Sequence, residues 1–387
     1  MSMNLLALTT SYPTEADPFR GPFIERWADQ MQTLGANVRV IGPATKDPLG
    51  RCPYVGFRDI GGLLRGSGAP DEIQTKPLWG SVRGAAITLE MVKTTRRLIT
   101  DVDSLVCHWL LPSVYAGLAA AIRTEIPVHG YAHGGDISLI EAMPRTISKR
   151  ICQVADRQCR SVIFVSEDLR ARFNSLLDRP PRAQQKVIPM GICRADADPA
   201  FREWLKIQAN GRPIVATLGR HVEIKGLDLV FDALKDQKDL LWVAAGDGPY
   251  RNALEEHARY SPLDICLPGM ITPAQREALF EEATVFVQSS RQIGTRTEGH
   301  PVALIEALAA GVPSVVNPSG GISEIALKAD CIPVDVGDSE AFQTAIIRLI
   351  NNEKHRSEMS LKHQQYAQEQ TWDKLGPAHF EAVCSVG

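Results

Sequence analysis

The chain has 387 residues, 44% of them hydrophobic, 22% charged and only 6% aromatic, with a formal net charge of −3. That balance is a soluble globular protein's; it excludes disorder and collagen-like repeats and argues against general nucleic-acid binding, while the length suggests two domains of roughly 100–200 residues each. Charge is unevenly spread, with 23 Lys+Arg against 18 Asp+Glu in residues 1–190 and 19 against 27 in residues 191–387, which could place an anionic partner on the first half.

Asn4–Thr9 reads as a strand ending at the turn Ser11-Tyr12-Pro13; no basic n-region precedes it, so no signal peptide is expected. Phe23–Leu34 follows as an amphipathic helix with Phe23, Ile24, Trp27, Met31 and Leu34 on its apolar face. Asn37–Ile41 is the next strand, and Gly42–Trp79, rich in Gly and Pro, reads as irregular excursions. A helix over Val82–Leu98 leads into strands at Ser104–His108, Val128–Ala132 and Val162–Ser166, with helices between. Near Val187–Gly191 the pattern pauses, and Asp196–Pro199 with the next few residues reads as a linker or short connecting helix. A second series then begins, with strands at Ile214–Leu218, Leu241–Ala245, Ile265–Leu267, Thr284–Val287 and Ser314–Val316. The chain ends in helical stretches at Glu340–Gln370 and Trp372–Val383.

Alternating β and α elements predict parallel sheets covered on both faces. The expected fold is α/β, with two doubly wound Rossmann-like domains, residues 1–190 and 191–370, facing a central cleft, and residues 371–387 crossing back to the first. No apolar run approaches the roughly 20 residues that cross a bilayer. The eight cysteines form no C-x-x-C pair and read as thiols of a reducing cytoplasm.

Ligands of open parallel sheets bind beyond the carboxyl ends of the strands, and six candidate segments follow predicted strands. Gly219-Arg220…Lys225-Gly226 pairs a planar fork of donors with a compact cation, which suits a diphosphate; two solvated cations on a loop are the plain alternative. Gly246-Asp247-Gly248-Pro249 could cradle a base or phosphate, or be a tight turn. As a dinucleotide fingerprint it is incomplete, since Arg251 stands where a third glycine belongs. Glu298-Gly299-His300-Pro301 precedes the apolar stretch Val302–Ala310, closed by Gly311, so the N–H groups of Val302 and Ala303 lie at a helix N-terminus that favours anions. Glu306 is the one acid in that helix and reads as facing a polar cleft or a specific partner; a buried helix with one satisfied Glu is the plain alternative. Pro318-Ser319-Gly320-Gly321…Glu324 could approach a phosphate closely. In the first half, His133-Gly134-Gly135-Asp136 holds a histidine at a strand end, and Arg20-Gly21 lies in the loop after the first strand.

In this order the six segments resemble the retaining family-4 glycosyltransferases of the GT-B fold, over nearly the whole chain. Glu298…Glu306 matches that family's E-x7-E element and Gly219-Arg220…Lys225-Gly226 its basic loop. The resemblance implies an acceptor-binding first domain and a nucleotide-sugar-binding second domain. The activity would be retaining transfer of a hexose-type sugar from a UDP- or GDP-linked donor to an acceptor hydroxyl, in polysaccharide or glycoconjugate biosynthesis. The acceptor would be a saccharide, a lipid-linked saccharide or a small molecule. Arg220 and Lys225 would bind the diphosphate and stabilise it as it leaves, so no metal or other cofactor is expected. Glu306 would hold the ribose hydroxyls; Glu298 and the backbone from Gly299 through His300, Val302 and Ala303 would hold the donor sugar and phosphates. Gly21, Gly219 and Gly248 would line the donor, His133 would contact the donor sugar near the reacting carbon, and Asp136 and Arg20 would lie nearer the acceptor. His300 departs from the bulky apolar residue usual in the family and could read a sugar hydroxyl or charge.

Asp101–Asp103 precedes a strand and Asp196–Asp198 lies in the linker, so neither D-x-D sequence suggests a metal site at the chemistry. No nucleophilic carboxylate stands out, and front-face attack by the acceptor hydroxyl is expected, with the leaving phosphate taking its proton. Arg145, Lys149, Arg157 and Arg160 share a helical face if Ala142–Arg160 is helical, and could meet anionic lipid at the inner face of the membrane; a solvated face is the alternative. A nucleotide-sugar epimerase and a non-catalytic nucleotide-sugar binding module are the competing functions. An NAD-dependent oxidoreductase ranks last.

Overall fold

The computed structural model describes residues 2–62, 64 and 77–384. The chain divides into two compact units, Met1–Gly191 with Trp372–Gly387, and Ile192–Thr371.

In the first unit, strands β1 (Asn4–Leu8), β2 (Asn37–Pro43), β3 (Tyr54–Phe57), β4 (Ser104–His108), β5 (Val128–Ala132), β6 (Ser161–Phe164) and β7 (Gln184–Val187) form one sheet in the order β3-β2-β1-β4-β5-β6-β7. Every pairing is parallel. Central strands such as Leu5–Leu8 and Leu105–Cys107 are apolar residue after residue because helices cover both faces, and these side chains are buried. The two edge strands, β3 and β7, were not expected. An edge strand pairs on one side only, and Gln184-Gln185-Lys186-Val187 is exposed or half-buried, so it carries no apolar run; Tyr54-Val55-Gly56-Phe57 is short and lies within the Gly- and Pro-rich stretch read as irregular. Residues 63 and 65–76 of the expected irregular stretch lie outside the described residues. The helix after it spans Pro77–Leu98.

The second unit repeats the plan. Strands β8 (Ile214–Leu218), β9 (Leu241–Ala245), β10 (Asp264–Cys266), β11 (Ala283–Gln288), β12 (Ser314–Val316) and β13 (Ile332–Pro333) lie in the order β10-β9-β8-β11-β12-β13, again all parallel. Alternation along β11 sends Phe286 into the apolar layer with Leu205, Phe280 and Leu304 on one face, and Val285 and Val287 into the layer with Val230, Trp242 and Phe342 on the other. The stretch after Asp196, read as a linker or a short connecting helix, holds an 11-residue helix, Pro199–Ala209. Asp198 caps it by accepting from the Ala200 and Phe201 N–H groups, and Leu205 and Ala209 bury its inner face. The long stretch expected over Glu340–Gln370 is two helices, Ser339–Asn351 and Glu353–Gln368, divided at Asn352, whose side chain caps the second through the His355 N–H. β13, with two residues, is too short to read from a pattern.

The last helix, Trp372–Cys384, completes the first unit. Trp372 is buried against Gly191, where a β-carbon would come within 2.6 Å of the indole, and Ser104 Oγ donates to the Val383 carbonyl at 2.9 Å. Removing a buried indole leaves a cavity. Trp372→Ala should therefore lower stability by about 3–5 kcal/mol in urea unfolding followed by circular dichroism, whereas Leu89→Ala, at a position 61% exposed, should change it by less than about 0.5 kcal/mol.

Candidate active site

In both sheets the strand order reverses at one point, between β1 and β4 and between β8 and β11. Connections leave such a pair in opposite directions, so a crevice opens above their carboxyl ends. In the second unit that place is built by the loop after β8, Gly219–Gly226, and the loop after β11, Ser289–Gly299. Gly219, Arg220, Lys225 and Ser289 line a small recess there. A cavity of about 300 Å3, lined by Asn4, Asn37, Arg39 and Asp101 among others, lies at the opposite, amino edge of the first sheet.

Lys225 ends a single 3-10 turn, Glu223–Lys225, and its side chain passes over Gly219. Gly226 has φ +63°, and any β-carbon there would overlap the Ser289 carbonyl, so only glycine lets the two loops meet. They lock together where Ser289 Oγ donates to the Lys225 carbonyl at 2.8 Å. Across the join, Lys225 Nζ lies 2.7 Å from Glu298 Oε1, both side chains largely buried. Ser290 Oγ donates to the same carboxylate at 3.3 Å and is itself held by Gln288 Nε2 at 2.7 Å. Burial pushes the Glu298 carboxyl up, but the Lys225 ammonium, the two hydrogen bonds and the Arg220 charge outweigh it, and the group sits below its ordinary value. Arg220 is exposed on the same loop.

Glu298 and Gly299 are placed by the next loop. Gly321 N–H donates to the Glu298 carbonyl at 2.9 Å. A β-carbon on Gly320 would press on the Glu298 carbonyl, and one on Gly321 would overlap the Gly299 carbonyl. Gly246 and Gly248 likewise admit the backbones of Gly219 and His221. These glycines serve backbone packing between loops, a demand indistinguishable in sequence from close approach to a phosphate. The helix after His300 spans Val302–Ala309, with Pro301 as its N-cap. Leu304 and Ile305 donate to the Pro301 carbonyl, so the N–H groups of Val302 and Ala303 lie ahead of the first intrahelical bond. Glu306 is buried within this helix, and its partner is a cation on another helix: Arg276 Nη1 lies 2.6 Å from Glu306 Oε1.

In the first unit Gly21 has φ +66° and caps the helix Pro22–Thr33, packed on Ser11, with Arg20 half-buried beside it. Asp136, expected near an acceptor, does a different task. It is buried, and Oδ1 accepts from the His133, Gly134 and Ile137 N–H groups while Oδ2 accepts from Leu110 at 2.7 Å. Its carboxylate thus ties the turn after β5 to the turn after β4, and burial pushes its carboxyl up against the pull of those donors. His133 stands in an aromatic cluster, its ring centroid 5.0 Å from Phe23 and 4.7 Å from Trp109, with Nε2 at 3.1 Å from His108 Nδ1. His108 is fully buried. Desolvation, then the neighbouring His133 and His379, hold its pKa well below the ordinary value, so it is neutral.

Sequence reasoning passed over His108 and Trp109. Trp109 has φ +78°, a conformation that costs a non-glycine residue about 1–3 kcal/mol. It follows β4 at the first sheet's reversal point, and its indole N–H is buried without a hydrogen-bond partner. The available signal was position: His108 closes a strand that the pattern already ended there, and Trp109 is the next residue. The basic face read over Ala142–Arg160 is smaller than expected. The helix is Arg145–Gln158, Arg160 lies beyond its end, and Lys149 is paired with Asp178. Arg145 and Arg157 are exposed. Among the described residues no helix is long and apolar enough to cross a membrane.

Comparison with known proteins bears on both units. Residues 22–195 match the model of Glycosyltransferase Family 4 and residues 202–366 that of Glycosyl transferases group 1. The putative teichuronic acid biosynthesis glycosyltransferase TuaC of Bacillus subtilis is 24% identical over 368 residues, 89% of either chain. A GDP-mannose-dependent alpha-(1-6)-phosphatidylinositol monomannoside mannosyltransferase of Mycolicibacterium smegmatis is 30% identical over 264 residues, 64% of this chain and 66% of that one. Among solved structures, Anabaena Alr3699/HepE in complex with UDP superposes with a TM-score of 0.74 at 17% identity, covering 98% of this chain and 99% of that one. WaaG, a glycosyltransferase involved in lipopolysaccharide biosynthesis, gives 0.69 at 16% identity over 99% and 100%. With both units matched on a shared GT-B frame, the chain is a glycosyltransferase of the family-4, group-1 type.

Proposed function

We propose that the protein is a retaining, metal-independent hexosyltransferase that moves a sugar from a UDP- or GDP-linked donor to an acceptor hydroxyl in glycoconjugate biosynthesis. The observation that carries this reading is the Lys225–Glu298 pair at the β8/β11 reversal, beside the N-terminus of Val302–Ala309. UDP in the HepE complex and GDP-mannose in the mycobacterial relative's description support a nucleotide-sugar donor of either kind.

Breaking the anomeric C–O bond leaves positive charge on the sugar and negative charge on the diphosphate. Arg220, Lys225 and the N–H groups of Val302 and Ala303 would receive that negative charge. Lys225, fixed by Glu298, and the two backbone N–H groups are held before the donor arrives, which is the condition for electrostatic catalysis. Glu298, kept ionised by Lys225, would accept hydrogen bonds from donor-sugar hydroxyls, Glu306 from the ribose, and His133 would meet the sugar near the reacting carbon. The acceptor hydroxyl would attack from the leaving group's own face and pass its proton to the departing phosphate oxygen. A saccharide or lipid-linked saccharide fits such a reaction, and Arg145 and Arg157 would supply contact with an anionic membrane surface.

A thermal-shift screen of UDP, GDP and ADP opens the test, since a ligand at a hundred times its dissociation constant stabilises by roughly 2.7 kcal/mol. With the matching nucleotide sugar and acceptor, NMR should show the donor's anomeric configuration kept in the product, and EDTA should leave turnover unchanged; an inverted product or loss of turnover in EDTA would refute the respective part. Conversion of the donor alone would point to an epimerase, and binding without turnover to a binding module. Lys225→Ala should lower kcat by about 100- to 1,000-fold with the far-UV circular dichroism unchanged.

The same pair sets a pH dependence. Glu298 lies below its ordinary value of 4.5, so its contribution to stability is present above that value and is lost as pH falls through the folded one. Lys225→Met leaves burial opposed only by Ser290 and Arg220 and moves the carboxyl upward. The stability gap between wild type and Lys225→Met should therefore be full at pH 7 and narrow as pH falls toward and below 4.5, read from urea midpoints across pH.

A further inference from the structure

Glu306 sits in a helix otherwise made of Val, Ala, Leu and Ile, and its buried carboxylate meets Arg276 Nη1 at 2.6 Å. Arg276 lies on the first turn of the helix Pro273–Glu282, which Thr272 opens with a capping box. Its other terminal nitrogen, Nη2, donates to the Cys193 carbonyl at 3.2 Å and to Glu277 Oε1 at 3.1 Å. Glu277 is in turn fixed by Arg194, whose Nε donates to it at 2.9 Å while Nη1 donates to the Ala309 carbonyl at 2.9 Å. Two cations and two carboxylates thus neutralise one another, and the guanidinium that faces Glu306 is held from behind at two points. A planar fork fixed in this way can set a carboxylate's position and plane, which a flexible ammonium does not. The fork takes one oxygen from one side, and a carboxylate offers about four acceptor positions, so the ion pair does not exhaust what Glu306 can bind.

We propose that Arg276 is a positioning residue for nucleotide recognition: it aims the Glu306 carboxylate at the 2′,3′-diol of the donor's ribose and thereby makes the site selective for ribonucleotides. The proposal rests on the nucleotide-sugar reading above. It adds a residue outside the E-x7-E element and names the part of the donor that the residue governs. Arg276 does not touch the ligand; it acts through Glu306, and its loss leaves a buried carboxylate without the group that orients it.

The test is the ratio of affinities, by calorimetry, for UDP, GDP and ADP against their 2′,3′-dideoxy counterparts, using the full-length protein. Wild type should prefer the ribonucleotide by about tenfold or more, the worth of hydrogen bonds to a charged group. Arg276→Met and Glu306→Gln should each bring the ratio to within about threefold of unity, the double variant should go no further, and Arg276→Lys should fall between. A purely structural ion pair would alter melting temperature and leave the ratio untouched. If Arg276→Met does not fold, Arg276→Lys keeps the charge and reads the same ratio. A wild-type ratio near one, or a full wild-type ratio in Arg276→Met or in Arg276→Lys, overturns the proposal while nucleotide binding itself stands. Failure of all three ribonucleotides to bind wild type overturns the nucleotide-sugar reading on which it rests.

Discussion

At β8 and β11 the connections of the second sheet depart in opposite directions, and the carboxyl ends of these two neighbours carry loops where a helix would otherwise pack. The loops Gly219–Gly226 and Ser289–Gly299 are brought together by that topology, although 64 residues of chain separate Ser289 from Lys225. Once the loops are neighbours, backbone space decides how near they come. Gly226 against Ser289, and Gly320 and Gly321 against Glu298 and Gly299, are the points where any side chain would hold them apart. The ion pair of Lys225 and Glu298 is the result of that approach rather than its cause.

Two largely buried ion pairs in one unit are costly to desolvate, and a core built for stability alone could replace them with apolar side chains of similar volume. On the nucleotide-sugar reading proposed above, Lys225–Glu298 and Arg276–Glu306 would meet parts of a charged ligand, and each is braced from outside the pair: Ser290 and Gln288 behind Glu298, Cys193 and Glu277 behind Arg276. Bracing of this kind fixes direction as well as charge, and direction is what recognition of a hydroxyl or a phosphate oxygen needs.

The sequence made the central strands legible because a strand buried on both faces must be apolar at every position, as in Leu5–Leu8 and Leu241–Ala245. Edge strands Tyr54–Phe57 and Gln184–Val187 escape that demand and were missed. The break at Asn352 was missed because its cap lies inside an otherwise continuous helical pattern. At the site, the placement of Arg220, Lys225, Glu298 and the helix from Val302 was readable, since each follows a strand. What one dimension cannot carry is the partner. Asp136 looked like a group offered to a ligand and is consumed by four backbone N–H groups; Glu306 was read as needing a cleft or a specific partner, and nothing nearby in the chain pointed to Arg276. His108 and Trp109 carried no motif at all.

The second unit is an insertion. The chain enters it at Ile192 and leaves at Thr371, and these crossings run side by side, the Ile192 N–H donating to the Gln370 carbonyl at 2.9 Å and Ile192 bridging to Thr371. The first unit recovers its final helix only afterwards, with Trp372 seated on Gly191. On a ribosome, then, the earlier-born half is the later to be finished: its sheet must wait, partly uncovered, while 180 residues of another body are synthesised, and nascent chains stalled short of Trp372 carry an exposed seam for chaperones to find.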